Sequence, residues 1–141
     1  MPDDHSPPLE DSEILAVASF RFALRRFEQH TDALVRGCGL TPQRYMLLLA
    51  VRSAQVTTGY ATVSTIAREL LMPQTTVTDL VARATDVGLI TKDGDSTDAR
   101  VVRITITGEG DRRLACAMRS LDGERANLRL ALLEATERHP A

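Results

Sequence analysis

A group of amide, hydroxyl and guanidinium side chains is concentrated between residues 74 and 83. Its members are Gln74, Thr75, Thr76, Thr78 and Arg83. Amide and hydroxyl groups can hydrogen-bond to base edges and phosphate oxygens, and a guanidinium can neutralise a phosphate. A plain solvent-facing surface would have the same composition. For Arg83, a phosphate contact and an ion pair within the domain are equally open interpretations. A role in binding therefore requires an element that projects these groups together.

The apolar residues around this group predict that element. Val77, Leu80, Val81 and Ala84 recur at helical spacing and leave the polar residues on the opposite face. A shorter helix precedes this one, with an inward face of Ile66, Ala67 and Leu70. Thr62 is a suitable N-cap for the shorter helix, and Pro73 marks the start of the longer one because it has no N–H to donate. Two helices separated by so short a break predict a helix-turn-helix.

A two-stranded hairpin is predicted directly after the second helix. Residues 89–91 form its first strand and the alternating residues 101–106 its second, while the polar residues 92–98 form the tip. Residues 61–62 are expected to add a minimal strand. Arg100 and Arg103 flank this wing and can enter a minor groove or bind phosphate. Asp98 is expected to orient Arg100, although a pair that merely pins the hairpin is the alternative.

Long helices are predicted on both sides of this region. Residues 11–37 carry one apolar stripe at steps of three and four: Val17, Phe20, Leu24, Phe27, Thr31 and Leu34. Leu15 and Phe22 lie off that stripe, so a second face is also apolar. Residues 41–53 form the most buried helix. Residues 109–138 form one last helix, and no separate sixth helix is expected. Apolar terminal helices most simply make a two-fold dimer.

These elements define a mainly α fold with a small β-wing, of the α+β class. A winged helix-turn-helix at 61–107 is flanked by N- and C-terminal dimerisation helices, within a single domain of residues 11–141. Residues 1–10 are acidic and Pro-rich and are expected to be disordered. They do not resemble a signal peptide, and no apolar run approaches the roughly 18–20 residues that span a bilayer. A cytoplasmic protein without a membrane partner is predicted.

The net charge of −2 looks unfavourable for a nucleic-acid partner. The first thirteen residues, however, hold five acidic residues and no Lys or Arg. The remaining 17 basic and 14 acidic residues therefore carry a net charge of +3. This balance permits DNA binding without indicating it.

Other chemistry receives little support from the sequence. Cys38 and Cys116 form no CxxC, so neither a disulfide framework nor a zinc site is expected. Cys38, between two glycines and near Arg36 and Arg44, is a candidate redox thiol, although an incidental small residue in a loop is the alternative. Cys116 is expected in the core. The three histidines, His5, His30 and His139, are too scattered for a metal site. No cofactor and no catalytic constellation are predicted, which argues against an enzyme. Candidate effector-binding residues are Phe20, Phe27, Tyr45 and Met46, although ordinary core is the alternative.

Taken in order, these elements resemble the MarR family of winged helix-turn-helix transcriptional regulators. GLTPQRYMLLLAV is similar to the family's second-helix opening, and TVSTIARELL with TTVTDLVARATDVGLI to its helix-turn-helix. Asp98-x-Arg100 and Ile104-x-Ile106-Thr107-x-x-Gly110 resemble its wing signature D-R-R-x-x-x-V-x-L-T-x-x-G. The chain departs from the pattern at Leu71, where Gly is common, at Asp79, where a base is common, and at Ala99, which replaces the first Arg.

The resemblance implies a homodimer that binds a pseudo-palindromic operator in double-stranded DNA, often as a repressor. It also implies release by a small-molecule effector or an oxidant. Because Asp79 and Ala99 remove positive charge where phosphate is expected, a dimeric winged-helix interaction module with weak DNA binding is one alternative. A thiol-based, redox-responsive regulator acting through Cys38 is another.

Overall fold

The computed structural model describes residues 6–94 and 101–138. Within these ranges, six helices and two strands follow one another. They are α1 (Asp11–Gly37), α2 (Pro42–Thr58), α3 (Val63–Leu70), α4 (Gln74–Asp86), β1 (Ile90–Gly94), β2 (Val102–Ile106), α5 (Gly108–Ser120) and α6 (Asp122–Arg138). The predicted mainly α fold with a small β-wing is confirmed.

The chain divides into two compact units. The arm unit contains the described residues up to Thr31 and from Leu121 onward, and the central unit contains Asp32–Ser120. The large buried side chains lie mostly in the central unit: Leu47, Leu48, Val51, Ile66, Val77, Leu89 and Ile104. The arm unit buries small residues instead, namely Ala16, Ala23 and Ala135, together with Leu121. The central unit therefore holds the main hydrophobic core.

Helix α2 begins as predicted and ends later than predicted. The Thr41 hydroxyl accepts from the amide of Arg44 at 3.2 Å, and Pro42 occupies the first turn. The predicted end at residue 53 is wrong, because the helix continues to Thr58. The hydroxyls of Thr57 and Thr58 donate to the carbonyl of Ala54, which accommodates both threonines within helical backbone. Gly59 then ends the helix with a φ of 91°.

Strands β1 and β2 pair in antiparallel register, from Ile90 opposite Ile106 to Gly94 opposite Val102. The prediction that the tip begins at residue 92 is therefore wrong, since pairing extends to Gly94. The predicted minimal strand is confirmed as a bridge between Ala61 and Ile104. The amide of Ile106 donates to Gln55 Oε1 at 2.8 Å, which attaches the ribbon to α2.

The C-terminal region contains two helices, so the prediction of one continuous helix without a separate sixth is wrong. Leu121, whose side chain is 1% exposed, forms a turn that separates α5 from α6. Asp122 and Glu124 lie in the first turn of α6, where acidic side chains interact favourably with the helix dipole. The amide of Arg125 still donates to the carbonyl of Leu121 at 2.9 Å, so the interruption is a single residue.

Helix α1 leaves much of its apolar surface exposed. Val17 and Phe20, on the predicted inward stripe, are 64% and 43% exposed, and Phe22 on the other face is 60% exposed. Leu24 and Phe27 are half-buried. Both apolar faces predicted from the sequence therefore remain accessible on α1. Among the described helices, none combines the length and hydropathy needed to cross a membrane.

Candidate functional site

Helices α3 and α4 are joined by a tight turn. The Thr62 hydroxyl accepts from the amide of Thr65 at 3.1 Å and caps α3, as predicted. Leu71 follows α3 in the left-handed conformation with a φ of 54°, and its amide donates to the carbonyl of Ala67. This left-handed residue explains why glycine suits the position. Pro73 then precedes α4 in extended conformation. The backbone therefore forms the predicted helix-turn-helix.

Helix α4 is divided cleanly into a buried and an exposed face. Val77, Leu80, Val81 and Ala84 are buried, as predicted. The opposite face is exposed and carries Gln74, Thr75, Thr76, Thr78, Asp79 and Arg83. The structure therefore brings the amide and hydroxyl candidates together at the N-terminal end of one exposed helix face, which can present donors and acceptors to a groove.

Two groups on this face already have partners within the helix. The Thr78 hydroxyl donates to the carbonyl of Gln74 at 2.8 Å. Arg83 Nη2 lies 2.7 Å from Asp79 Oδ2, one turn earlier, and both side chains are largely exposed. Of the two interpretations of Arg83, the structure shows the ion pair within the domain. That pair lowers the positive charge that α4 presents.

The base of the wing carries a second polar surface. Thr91 and Thr105 lie opposite one another on β1 and β2, with their hydroxyl oxygens 3.0 Å apart. Asp93 and Arg103 are the next cross-strand pair on the same face. Arg103 is exposed and belongs to the same unit as α4.

Tyr60 is a site residue that the sequence reasoning missed. The guanidinium carbon of Arg103 lies 4.5 Å from the centroid of the Tyr60 ring, in a cation–π contact. The sequence contains one indication of this contact, because Tyr60 immediately precedes the minimal strand predicted at Ala61. The sequence predicts that this strand joins the wing, but it does not predict the pairing of Ala61 with Ile104, which brings Tyr60 near Arg103.

The wing tip lies beyond the residues that the structure describes. Asp98 and Arg100, predicted to orient and to contact DNA respectively, both fall in the undescribed segment between residues 94 and 101. Their roles stay predictions.

The end of the wing signature has a clear structural role. The Thr107 hydroxyl donates to the carbonyl of Gly88 at 2.6 Å and accepts from the amide of Gly110 at 3.1 Å. A Cβ on Gly110 would lie 2.2 Å from the carbonyl oxygen of Leu89. This Thr–Gly pair therefore docks the start of α5 against the start of the wing, and only glycine allows the close approach.

The two cysteines form a disulfide, although the sequence predicts no disulfide framework. Cys38 and Cys116 are 78 residues apart, with their Cα atoms 5.8 Å apart. Cys116 lies on an exposed position of α5, so its assignment to the core is also wrong. Arg113 Nη1 donates to the carbonyl of Gly39 at 2.8 Å, which holds the turn containing Cys38 against α5. Tertiary contacts therefore bring the two thiols together.

The four candidate effector residues fall in both units. Phe27, in the arm unit, lines a cavity of about 210 Å³ together with Arg26, His30, Glu124 and Asn127. Phe20 belongs to the same unit. Tyr45 and Met46 belong to the central unit, where Tyr45 is buried and Met46 is 44% exposed.

Of the three histidines, the structure describes His30. His30 Nδ1 lies 2.8 Å from Glu124 Oε2, whereas His5 and His139 lie outside the described residues. Within residues 6–94 and 101–138, no group of His, Cys, Asp and Glu side chains is arranged to hold a metal ion.

The chain is similar to a known protein family. The sequence profile of the MarR family matches residues 39–101, which include α2, the helix-turn-helix and the start of the wing. No curated protein matches the sequence.

Several solved structures share this fold. The S. aureus MepR–DNA complex has a TM-score of 0.70 and 22% identity, over 84% of this chain and 86% of that one. M. tuberculosis MosR in complex with DNA has a TM-score of 0.62 and 26% identity, over 78% and 77% of the two chains. AbsC, a MarR family transcriptional regulator from Streptomyces coelicolor, has a TM-score of 0.69 and 16% identity, over 92% and 84%.

Proposed function

We propose that the chain is a member of the MarR family of winged helix-turn-helix regulators, whose sequence profile matches residues 39–101, and that it is a homodimeric, sequence-specific repressor that binds operator DNA. One observation carries the proposal: α4 exposes Gln74, Thr75, Thr76 and Thr78 on a single face, in the same unit as the wing. Hydroxyl and amide groups at the N-terminal end of a recognition helix read base edges in other helix-turn-helix proteins. The DNA-bound MepR and MosR structures support the same use of this fold.

The wing supplies the second contact in this proposal. Arg103 at its base and Arg100 at its tip bind phosphate or enter a minor groove, with Asp98 orienting Arg100. These cations compensate for the Asp79–Arg83 pair, which leaves α4 with little net charge. The protein acts in the cytoplasm, needs no cofactor and catalyses no reaction.

Dimerisation is supported by the exposed apolar surface of the arm unit. Its exposed large side chains are Leu9, Ile14, Leu15, Val17, Phe20, Phe22, Leu130 and Leu133. A second copy would cover such a surface, and a two-fold dimer would place two α4 helices at successive major grooves.

Phe22→Glu should halve the mass measured by light scattering. Val56→Glu, at an exposed apolar position of the central unit, is the matched control.

A small-molecule effector completes the proposed mechanism. The cavity beside Phe27 combines an aromatic ring with the donors of Arg26 and Asn127, and its carboxylate, Glu124, lies 2.8 Å from His30 Nδ1, so that the cavity suits a small organic anion held by Arg26. Such a ligand releases DNA only if it binds the DNA-free state more tightly. Benzoate is a suitable probe: it should shift the thermal midpoint of the wild type and not of Arg26→Gln. An equal shift in both proteins would place binding elsewhere.

The main experiment is a fluorescence-anisotropy titration with duplexes from upstream of the gene and from its neighbour. We expect one duplex to bind more tightly than scrambled DNA, with a steep dependence on salt. No binding at micromolar protein and low salt would favour the alternative, a dimeric interaction module with weak DNA affinity.

Redox regulation is a second candidate, which the Cys38–Cys116 disulfide favours. The sequence interpretation placed this switch on Cys38 alone, whereas the structure supplies a partner thiol. Hydrogen peroxide would oxidise one thiolate to a sulfenic acid and release hydroxide, which takes up the proton that this thiol had lost and becomes water. The other thiol would then attack that sulfur, forming the disulfide and releasing a second water. The two thiols lose two electrons, which reduce the peroxide.

The redox candidate has its own test. Reduced and peroxide-treated protein should differ in operator affinity, and mass spectrometry should show the loss of two hydrogens on oxidation. Cys38→Ser and Cys116→Ser should each abolish the difference. A peroxide response that persists in both variants would exclude this pair as the switch.

A further inference from the structure

We propose that Tyr60 is a positioning residue that holds the guanidinium of Arg103 so that this cation engages a DNA phosphate at the base of the wing. The inference rests on the proposed function. Its starting observation is the 4.5 Å separation between the guanidinium carbon and the ring centroid. An exposed arginine samples many rotamers, and stacking on an aromatic face restricts that freedom before DNA arrives.

The backbone at Tyr60 is anchored by hydrogen bonds on both sides of the residue. Ala61, the next residue, donates to the carbonyl of Ile104 at 2.9 Å and accepts from its amide at 2.8 Å. The carbonyl of Tyr60 accepts from the Thr58 hydroxyl at 2.9 Å. Since Ile104 is adjacent to Arg103 in β2, the same bridge that anchors Tyr60 also sets its register against Arg103.

The backbone of Arg103 is positioned by the β1–β2 pairing. It lies opposite Asp93, and the neighbouring Thr91 and Thr105 hydroxyls are 3.0 Å apart on the same face. Stacking uses the face of the guanidinium, whereas its N–H donors lie in the plane and point outward from its edge. The contact with Tyr60 is therefore compatible with simultaneous hydrogen bonds to a phosphate.

The surroundings of the pair are polar and open to solvent. Thr58, Gly59, Gly94 and Thr105 line a surface cleft with Tyr60, Asp93 and Arg103. Small side chains around a stacked arginine leave room for a sugar–phosphate backbone. The same contact could instead serve only to stabilise the hairpin, so the test must separate positioning from stability.

A double-mutant cycle makes this separation. Operator affinity is measured by anisotropy at several salt concentrations for wild type, Y60F, Y60L, R103Q and the Y60L/R103Q double variant. Y60F, which keeps the ring, should bind like wild type. Y60L should weaken binding about 2- to 5-fold, the range of an exposed cation–π contact. R103Q should lower the slope of log affinity against log salt by about 1. In the R103Q background, Y60L should cause no further loss.

Controls keep the outcomes distinct. Arg119→Gln, on an exposed position of α5, tests the effect of losing any positive charge. Thermal midpoints are measured for every variant, and Tyr60→Gln replaces Y60L if that variant does not fold. Equal losses from Y60L with and without Arg103, or an unchanged salt slope in R103Q, would overturn the positioning role. If the wild-type protein binds no duplex, the proposed function as a DNA-binding regulator is wrong. That outcome is distinct from a wild type that binds DNA without any contribution from Tyr60.

Discussion

Asp79 and Arg83 are bonded to one another across one turn of α4, with Arg83 Nη2 2.7 Å from Asp79 Oδ2, on the face that we propose for DNA contact. Exposed pairs of this kind contribute about 0–1 kcal/mol to stability. The pair is therefore easily broken, and its main consequence is to withdraw a cation from the proposed interface.

Asp79→Asn should strengthen DNA binding, because it removes a negative charge near phosphate and releases Arg83. We expect several-fold tighter binding and a log–log salt slope steeper by about 1 if Arg83 then neutralises a phosphate. Asp86→Asn, at the last residue of the same helix, is the matched control and should have a smaller effect. Equal gains in both variants would indicate a general charge effect.

Thr76→Ala should alter the preference among operator sequences more than the affinity for non-specific DNA. A lost hydrogen bond to a base costs about 1 kcal/mol, or roughly 5-fold, at the affected position only. Thr85→Ala is the control, because that hydroxyl is used within the helix, donating to the carbonyl of Val81 at 2.7 Å. Competition anisotropy on single-base operator variants measures the effect. Similar losses on every duplex would contradict base readout by Thr76.

Reduction of the Cys38–Cys116 disulfide should lower the stability of the protein. Opening a cross-link between residues 78 apart restores freedom to the unfolded chain and typically costs about 2–4 kcal/mol. Calorimetry with and without a reductant, at one protein concentration, should show a thermal midpoint lower by roughly 5–15 °C. The Cys38→Ser variant should not respond to the reductant. A midpoint that is identical in both conditions would show that the bond does not form in solution.

Gly110→Ala should be strongly destabilising. The added Cβ would lie 2.2 Å from the carbonyl oxygen of Leu89, so backbone must move, at a cost of about 2–4 kcal/mol. Gly123→Ala is the matched control, since nothing lies within 4 Å of its Cβ and alanine favours helix by up to about 1 kcal/mol. The denaturant midpoint should fall in Gly110→Ala and rise in Gly123→Ala. A tolerated Gly110→Ala would rule out the close approach.

The sequence alone determined the order of the elements from α1 to β2 and the two faces of α4. Apolar residues at helical spacing, such as Val77 and Leu80, indicate which side of a helix is buried. Residues that favour a helix start, such as Thr62 before α3 and Pro73 before α4, indicate where each helix begins. These signals are local, so they can be read without any knowledge of the fold. Whether Gln74 and the threonines contact DNA stays a prediction.

Only the tertiary structure decided the contacts between distant segments. The Cys38–Cys116 bond and the stacking of Arg103 on Tyr60 depend on how remote segments pack, and residue spacing contains no distance between them. The requirement for glycine at position 110 arises from a carbonyl 21 residues earlier in the chain, at Leu89. The later end of α2 followed from side-chain bonds by Thr57 and Thr58 that helix propensities do not include. Such contacts exist only once the chain has folded.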